Sequence, residues 1–303
     1  MKKLLTLLAL TISFSINAQW YTNGTGIQSL SNDAIGSYSI SMGFDTTASG
    51  HSSTSMGIFT SASGYSSIAM GGNTTASYFY STAMGYNTTA CGISSTSMGY
   101  ESIASGDYST ATGRATTASG ANSTSMGHST TASGSNSTAM GRETTASDYA
   151  SLVIGQFNSS GSSATSATSF NTSNTAFVIG NGTDSSNKSD AFKVMFNGDT
   201  TVGGDITISS DARLKSNIVS LGSTLSKLLL IDGKSYEKDG KQRIGVLAQE
   251  IQEVFPELVT EDGNEMLAVN YQGLVPVLIN ALKEQQSEID ELKEMVQKLV
   301  NRK

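Results

Sequence analysis

Few side chains in this chain combine a reactive type with a spacing that could support chemistry. Ser210 and Lys215 place a hydroxyl and an amine five residues apart in the segment S-D-A-R-L-K. A hydroxyl is a poor nucleophile unless a neighbouring base takes its proton, and a lysine can do so only where burial or positive charge lowers its pKa. Arg213 could supply that charge or could instead pair with Asp211. Without further motifs, Ser210 is one serine among many and Lys215 a solvated charge.

The remaining reactive side chains are isolated. His51 and His128 lie far apart along the chain, in different positions of a repeat, so we expect no metal site. Cys91 is the only cysteine, which excludes an intrachain disulfide. No stripe of basic residues is present, so the sequence predicts no nucleic-acid binding, and no motif indicates a cofactor.

The first part of the chain keeps a strict 14-residue period. Glycine recurs at every fourteenth position from Gly43 to Gly155, and Met precedes it at seven of the nine positions. A second glycine column begins in the same register at Gly50 and is interrupted by Tyr78 and Asp148. A fixed period in a segment poor in bulky residues predicts a solenoid, although the Ser/Thr-rich composition alone would suggest disorder.

Each turn offers two short extended pieces, typically S-T-S-M and T-T-A-S. Alternation places Thr54 and Met56 on one face and Ser55 on the other. The Met56 column is the largest recurrent apolar feature, so we expect it to fill the interior of the coil, with the Ala48 column opposite. The Ser55 column is uniformly small until Val153, which predicts an oligomer interface; the alternative is that small residues merely suit a flat sheet.

The repeat resembles the head repeats of trimeric autotransporter adhesins over roughly residues 36–155. Their pattern is an S-x-A-[IVM]-G strand followed by a T-A-x-G strand on the same 14-residue period. The resemblance implies a left-handed parallel β-roll, three chains of which pack into one head. A single coil with so thin a core would be marginally stable, and association would bury more surface.

After Ser209 the composition changes to that of an ordinary charged domain, with three motifs in order. They are S-D-A-R-L-K-S-N-I (210–218), R-I-G-V-L-A-Q-E-I-Q-E-V-F-P-E-L-V (243–259) and V-N-Y-Q-G-L-V-P-V-L-I-N-A-L-K-E (269–284). Apolar spacing predicts a helix around Leu221 to Ile231. It also predicts a second helix whose apolar face includes Leu247 and Ile251 and which ends at Pro256.

The order of these motifs resembles the intramolecular chaperone domain of phage tailspikes and endosialidases, a self-cleaving serine peptidase family, over about residues 209–284. The resemblance implies that the domain trimerises, assists folding of the β-rich fibre before it, and then cuts itself off with a Ser–Lys dyad. Ser210 matches the family's nucleophile and Lys215 its base, so the expected cut lies between Ser209 and Ser210. The alternative is a domain that folds as a chaperone but no longer cuts.

The terminal helix carries a coiled-coil seam flanked by Glu and Lys. Its apolar positions are Leu282, Ile289, Leu292, Val296 and Leu299, with Gln285 in the same spacing. β-Branched residues alternating with Leu would by themselves favour a dimer. Both resemblances imply a homotrimer, which is the partner that we expect.

The fold class predicted is therefore mainly β, with a C-terminal α+β chaperone domain that ends in a coiled-coil helix. Lys2 and Lys3 followed by an apolar run too short to span a bilayer comfortably indicate a signal peptide rather than an anchor or a buried strand. The expected organisation is a signal peptide (1–18), β-roll head (19–155), β-rich connector (156–209), chaperone domain (210–275) and terminal helix (276–303). No transmembrane segment is expected in the mature chain.

These features predict an exported, fibrous, trimeric adhesin-like protein, located outside or on the surface of a Gram-negative-type bacterium, with a ligand that the sequence does not reveal. A second hypothesis keeps the chaperone uncut as a trimer clamp. A third is ice binding by a flat ladder of threonines, interrupted at Ser61, Ser102 and Ile103. That ladder would consist of Thr46, Thr74, Thr88, Thr116, Thr130, Thr144 and the threonine after each.

Overall fold

A computed structural model describes residues 20–22, 27–29, 36–161, 163–238 and 240–302. The signal peptide expected at residues 1–18 lies outside the described residues. The chain forms two compact units, the first ending at Thr207 and the second starting at Ile208.

The first unit is a β-solenoid of about eight turns in residues 40–156, which confirms the mainly β repeat architecture. Each turn contributes one five-residue strand and one two-residue strand. The five-residue strands are β3 Ile40–Phe44, β5 Thr54–Ile58, β7 Ile68–Gly72, β9 Thr82–Tyr86, β11 Thr96–Tyr100, β13 Thr110–Arg114, β15 Thr124–His128, β17 Thr138–Arg142 and β19 Leu152–Gln156. The two-residue strands are β4 Thr47–Ala48, β6 Ser61–Ala62, β8 Thr75–Ala76, β10 Thr89–Ala90, β12 Ile103–Ala104, β14 Thr117–Ala118, β16 Thr131–Ala132 and β18 Thr145–Ala146.

The strands pair in parallel with a register shift of one whole repeat. Met56 lies beside Met70 and Ser55 beside Ala69 in the sheet of five-residue strands, and the two-residue strands form a second sheet. Gly57 has φ +129°, and a Cβ there would collide with the carbonyl oxygen of Gly71 in the next turn. The invariant glycine column therefore lets successive turns stack closely.

The interior of the coil is lined by small residues, which contradicts two predictions. The Ser55 column, predicted as an oligomer interface, points inward and is 0% exposed, as is the Ala48 column. The Met column, predicted to fill the interior, lies on the outside together with the Thr54 column, and Met126 is 40% exposed. The alternation was predicted correctly but its direction was wrong, because a 14-residue turn encloses room only for side chains no larger than Thr or Val.

Hydroxyl pairs cross the interior at the three turns where a serine of the Ser55 column faces a threonine: Ser41 with Thr46, Ser55 with Thr60 and Ser125 with Thr130. Ser55 and Thr60 lie 2.7 Å apart, Oγ to Oγ1. Where alanine takes the place of Ser55, as at Ala69, the facing Thr74 hydroxyl is buried without a hydrogen-bond partner. The Thr46 column is thus internal and 0–1% exposed, so the two-column threonine ladder suggested for ice binding does not form, and only the second threonine of each pair, such as Thr47, reaches the surface.

The repeat ends against a β-rich segment that continues the main sheet. Strand β20 Thr175–Asn181 pairs in parallel with β19, and β21 Asp190–Met195 and β22 Thr200–Val202 follow in antiparallel order. At the other end the sheet includes β1 Trp20–Thr22 and β2 Ile27–Ser29. Asn158 closes the second sheet, since its side-chain amide accepts from the Thr145 N–H at 2.8 Å and donates to the Thr145 carbonyl at 2.9 Å.

The second unit is α+β. Its helices are α1 Leu225–Leu228, α2 Ala248–Val254 and α3 Leu274–Val300, and its hairpins are β23 Lys234–Lys238 with β24 Lys241–Gly245 and β25 Val259–Glu261 with β26 Leu267–Val269. Short 3-10 turns occupy Ala212–Leu214, Pro256–Leu258 and Tyr271–Gly273. Helix α1 is much shorter than the helix predicted around Leu221 to Ile231.

A small core joins the second and third sequence motifs. Ile251 of α2 and Phe255, which follows the helix, pack with Leu258 and with Val277 of α3. Helix α2 ends before Pro256, as predicted, whereas Leu247 precedes the helix and is exposed. This core fixes the start of α3 against α2.

Helix α3 presents its predicted seam to solvent in the single chain. Leu282 is 64% exposed and Leu299 is 65% exposed. Lys293 and Lys298 flank the seam and pair with Asp290 and Glu294. Among the described residues, no helix is long and apolar enough to cross a bilayer.

Candidate functional site

The residues predicted to carry chemistry lie in one tight turn at the start of the second unit. Asp211 caps the 3-10 turn Ala212–Leu214, and its carboxylate accepts a hydrogen bond from the Arg213 N–H at 2.9 Å. The Lys215 N–H then donates to the Ala212 carbonyl at 3.1 Å. The turn folds the chain back, so that residues five positions apart can meet.

Ser210 and Lys215 do meet across this turn. The Lys215 Nζ donates a hydrogen bond to the Ser210 Oγ at 2.7 Å. Ser209, Ser210 and Lys215 are all exposed in the single chain. The structure therefore brings together a hydroxyl, a neighbouring amine and the peptide bond that precedes the hydroxyl-bearing residue.

Arg213 pairs with Asp211, one of the two alternatives that the sequence left open. Its guanidinium donates to the Asp211 carboxylate through Nε at 3.1 Å and through Nη2 at 2.7 Å. This pairing lowers the pKa of Asp211 and raises that of Arg213. The positive charge of Arg213 is therefore compensated by Asp211 instead of being aimed at Lys215.

A Ser–Lys pair cuts a peptide bond only if the lysine can accept a proton, which requires a buried or positively charged surrounding. In the single chain Lys215 is exposed and Arg213 is paired. The geometry of a dyad is present, whereas the surroundings that would activate its base are absent from the described residues of one protomer.

The second and third motifs contribute packing to this unit. The Tyr271 hydroxyl accepts a hydrogen bond from the Val246 N–H at 3.3 Å, and a Cβ at Gly245 would lie 2.7 Å from that hydroxyl. Asn270 donates its N–H to the Leu258 carbonyl at 2.8 Å. These contacts explain why R-I-G-V and V-N-Y-Q-G occur together: each motif shapes the surface on which the other packs.

Sequence reasoning missed one polar site in this unit. Glu284 of α3 accepts hydrogen bonds from the Ser223 hydroxyl at 2.6 Å, from the Thr224 N–H at 2.6 Å and from the Leu225 N–H at 3.2 Å. These bonds, that of Ser223 foremost, lower the pKa of Glu284. No local pattern reveals the site, because its partners lie about sixty residues away.

The isolated reactive residues of the repeat lie in unremarkable surroundings. His51 stacks on Tyr65 with ring centroids 4.9 Å apart, and Cys91 is a half-buried free thiol. Within the part of the chain that the structure describes, no group of His, Cys, Asp or Glu could hold a metal ion.

Comparison with known families confirms both resemblances. Residues 34–60, 62–88, 92–116, 118–144 and 132–158 match the YadA head domain repeat, and residues 210–260 match the chaperone of endosialidase. The chain thus joins adhesin-type head repeats to an endosialidase-type chaperone domain, in the order expected from the sequence.

Phage long tail fibre proteins are similar to part of the chain. The long tail fiber protein Gp37 of Enterobacteria phage K3 is 36% identical over 99 residues, covering 29% of this chain and 8% of that protein. Gp37 of Escherichia phage AR1 is 34% identical over 92 residues, covering 26% of this chain and 8% of its own length. Gp37 of Enterobacteria phage M1 is 32% identical over 101 residues and is covered to 40%. The chain therefore spans less than half of each of these relatives.

Proposed function

We propose that this chain is an exported homotrimeric fibre whose C-terminal domain drives assembly and folding of the β-roll and then cuts the chain between Ser209 and Ser210. The observation that supports the proposed cut is the 2.7 Å contact between Lys215 Nζ and Ser210 Oγ. The head repeats, the chaperone domain and the tail-fibre relatives support the fibrous architecture.

Two exposed apolar surfaces fit a trimer. The first is the outer face of the head, formed by the Met56 and Thr54 columns, which runs along every turn. The second is the seam of α3, where Leu292 and Val296 are more than half exposed. Packing three chains through both surfaces would bury side chains that one chain leaves in water, and this gain of buried apolar area would stabilise a coil with so small a core.

A separate trimerisation domain would also solve a register problem. Each turn of the head offers the next chain the same surface, so three chains could pack out of step by one whole turn. Long-range β structure folds slowly and exposes strand edges that associate wrongly. A compact domain that trimerises first would fix the relative position of the three chains before the coils form.

The proposed cut starts from the Ser210 hydroxyl. Its Oγ attacks the carbonyl carbon of Ser209 while Lys215 accepts the hydroxyl proton. The C–N bond breaks, the proton passes to the departing Ser210 nitrogen, and Ser209 is left as an ester on Ser210. Water then hydrolyses the ester, which restores the hydroxyl and releases residues 210–303 with Ser210 at their new N-terminus.

Trimerisation would supply what one protomer lacks. Lys215 is exposed in the single chain, so covering it with a neighbouring protomer would remove water and favour its neutral form. Cutting would then follow assembly, and an unassembled chain would keep its chaperone domain.

The test is the intact mass of the secreted protein together with its sedimentation coefficient. The wild type should lack residues 1–18 and be split after Ser209, whereas Ser210→Ala and Lys215→Ala should yield uncut trimers. Ser216→Ala is the matched control and should be cut like the wild type. A full-length wild-type trimer would instead support the retained clamp, and a monomeric Ser210→Ala chain would contradict the assembly role.

A further inference from the structure

The positively charged side chains of the head lie in one column of the repeat. Arg114 and Arg142 are the only Lys or Arg residues between residues 20 and 155. They occupy the last position of β13 and β17, and His128 occupies the same position of β15 between them. Because neighbouring strands lie about 4.8 Å apart, the two arginines stand about 10 Å apart along the axis.

Both guanidinium groups are held by aromatic rings. The Arg114 Cζ lies 5.9 Å from the centre of the Tyr100 ring, and the Arg142 Cζ lies 5.2 Å from that of Phe157. Both arginines are exposed, and neither forms an ion pair with any residue that the structure describes. A guanidinium that rests on a ring keeps its N–H groups available for a planar anion.

The column continues with aromatic rings in the preceding turns. Tyr100 precedes Arg114 in the same column, and Tyr86 precedes Tyr100. The two tyrosine rings stack with centroids 5.5 Å apart, and both side chains are exposed. Five consecutive turns therefore present two rings and three nitrogen-bearing side chains on one straight track, which we call the Tyr–Arg track.

We propose that the Tyr–Arg track binds a linear acidic polysaccharide that lies along the axis of the solenoid. A straight track with one side chain per turn fits an extended polymer better than a compact ligand. Carboxylate or sulfate groups would accept paired hydrogen bonds from Arg114 and Arg142, and the tyrosine rings would contact the apolar faces of the sugars. This proposal goes beyond the fibre proposed above and does not depend on cutting at Ser210. It rests on the three chains packing through the Thr54 and Met56 columns while the last residue of each five-residue strand stays in solvent at the rim of that interface.

The charges around the track favour a polymer with widely spaced anionic groups. Glu143 directly follows Arg142, and Glu101 directly follows Tyr100, so carboxylates lie next to the track at two of its five positions. A nucleic acid carries a negative charge at every nucleotide and is bound mainly through many phosphate contacts. Such a ligand would meet these carboxylates as well as the arginines, whereas a polysaccharide charged at intervals can place its anions on the arginines alone.

The experiment measures binding of the secreted full chain to immobilised hyaluronate, which carries one carboxylate per disaccharide, and κ-carrageenan, which carries one sulfate per disaccharide. Neutral dextran, a single-stranded oligonucleotide and phosphatidylglycerol vesicles serve as comparison probes. We expect binding to at least one acidic polysaccharide, none to dextran, and weaker binding as salt is added. Arg114→Gln and Arg142→Gln should each weaken binding about tenfold, as expected for loss of a hydrogen bond between charged groups.

Two control variants separate position from net charge. Lys188→Gln removes one positive charge at an exposed loop outside the track and should leave binding unchanged. Arg114→Gln combined with Ser119→Arg keeps the net charge but moves the cation to an exposed position after β14, and it should bind as weakly as Arg114→Gln alone. Sedimentation of each variant distinguishes loss of binding from loss of the trimer.

Three outcomes would overturn the proposal. The first is equal weakening by Lys188→Gln, or rescue by Ser119→Arg, because either would show that net charge alone determines binding. The second is binding to the oligonucleotide or the vesicles without binding to either acidic polysaccharide. The third is a correctly assembled wild-type trimer that binds neither polysaccharide at low salt.

Discussion

The buried carboxylate of Asp148 accepts two hydrogen bonds from Thr175, one from its N–H at 2.8 Å and one from its hydroxyl at 2.6 Å. A third arrives from the Thr165 N–H at 2.7 Å. Asp148 is the residue that interrupts the second glycine column after Gly134. The repeat therefore ends at a turn whose backbone no longer stacks on an identical turn. At this position the Asp148 side chain forms hydrogen bonds with the segment that follows the repeat.

Replacing Asp148 by Asn should destabilise this junction. An amide can keep one acceptor oxygen, but its NH2 group would face an N–H or hydroxyl donor in a buried site. The expected loss is about 1–3 kcal/mol, the usual cost of an unsatisfied buried polar group. Hydrogen exchange of residues 163–175 should become faster and the thermal midpoint should fall. Asp45→Asn, at an exposed turn position, should change neither measurement.

The inner Ser–Thr pairs predict substitutions of opposite sign. Ser55→Ala would leave the Thr60 hydroxyl buried without its 2.7 Å partner and should lower the unfolding free energy by about 1 kcal/mol. Ala69→Ser and Ala83→Ser would give partners to the unpaired hydroxyls of Thr74 and Thr88, and each should stabilise the head. Denaturant unfolding measures both effects, and destabilisation by both added serines would show that the interior has no room for them.

The outward direction of the Met column predicts which substitutions spare the coil. Met84→Lys with Met98→Lys should preserve the β-strand circular dichroism and lower the temperature at which the trimer dissociates. Ala83→Lys, at a position with 0% exposure, should abolish the β-strand signal instead. Ser105→Lys with Ser119→Lys adds the same charge at exposed positions and is the control, expected to leave the trimer unchanged. Loss of the coil in the Met variant would place that column inside after all.

Glu284 makes the second unit sensitive to acid. Its hydrogen bonds to Ser223, Thr224 and Leu225 lower its pKa in the folded chain, so it stabilises the fold above its ordinary pKa of about 4.3. This stabilisation is lost as the pH falls from that value through the lower pKa of the folded state. Thermal midpoints between pH 7 and pH 3 should therefore fall less steeply in Glu284→Gln than in the wild type. The control Glu288→Gln, exposed on the same helix, should keep the wild-type slope.

The structure confirms those local predictions that depend on neighbouring residues in the sequence. The helix break at Pro256 and the long terminal helix both depend on a few adjacent residues. The predictions that Met fills the coil and that the small residues form an interface were wrong. Deciding between the two faces requires the width of the coil, which the local pattern does not give.

The candidate site also combines features that the sequence predicts with features that only the fold determines. The sequence places Ser210 and Lys215 five residues apart, but only the 3-10 turn brings Nζ to Oγ and only the folded turn decides that Arg213 pairs with Asp211. Glu284 and its partners are close only because α3 packs beside α1. Contacts between distant segments leave no periodic trace in the sequence, so no local pattern could have indicated them.

By itself, the sequence determined the 14-residue period, the stacked turns and the change of composition at Ser210. The period fixes which residues align from one turn to the next, and the alternation of a strand fixes which residues share a face. Neither fixes which face is inside, because both directions satisfy the same alternation. The tertiary structure decided that Ser55 faces inward and Met56 outward, since closing a coil of 14 residues leaves space only for the smaller side chains.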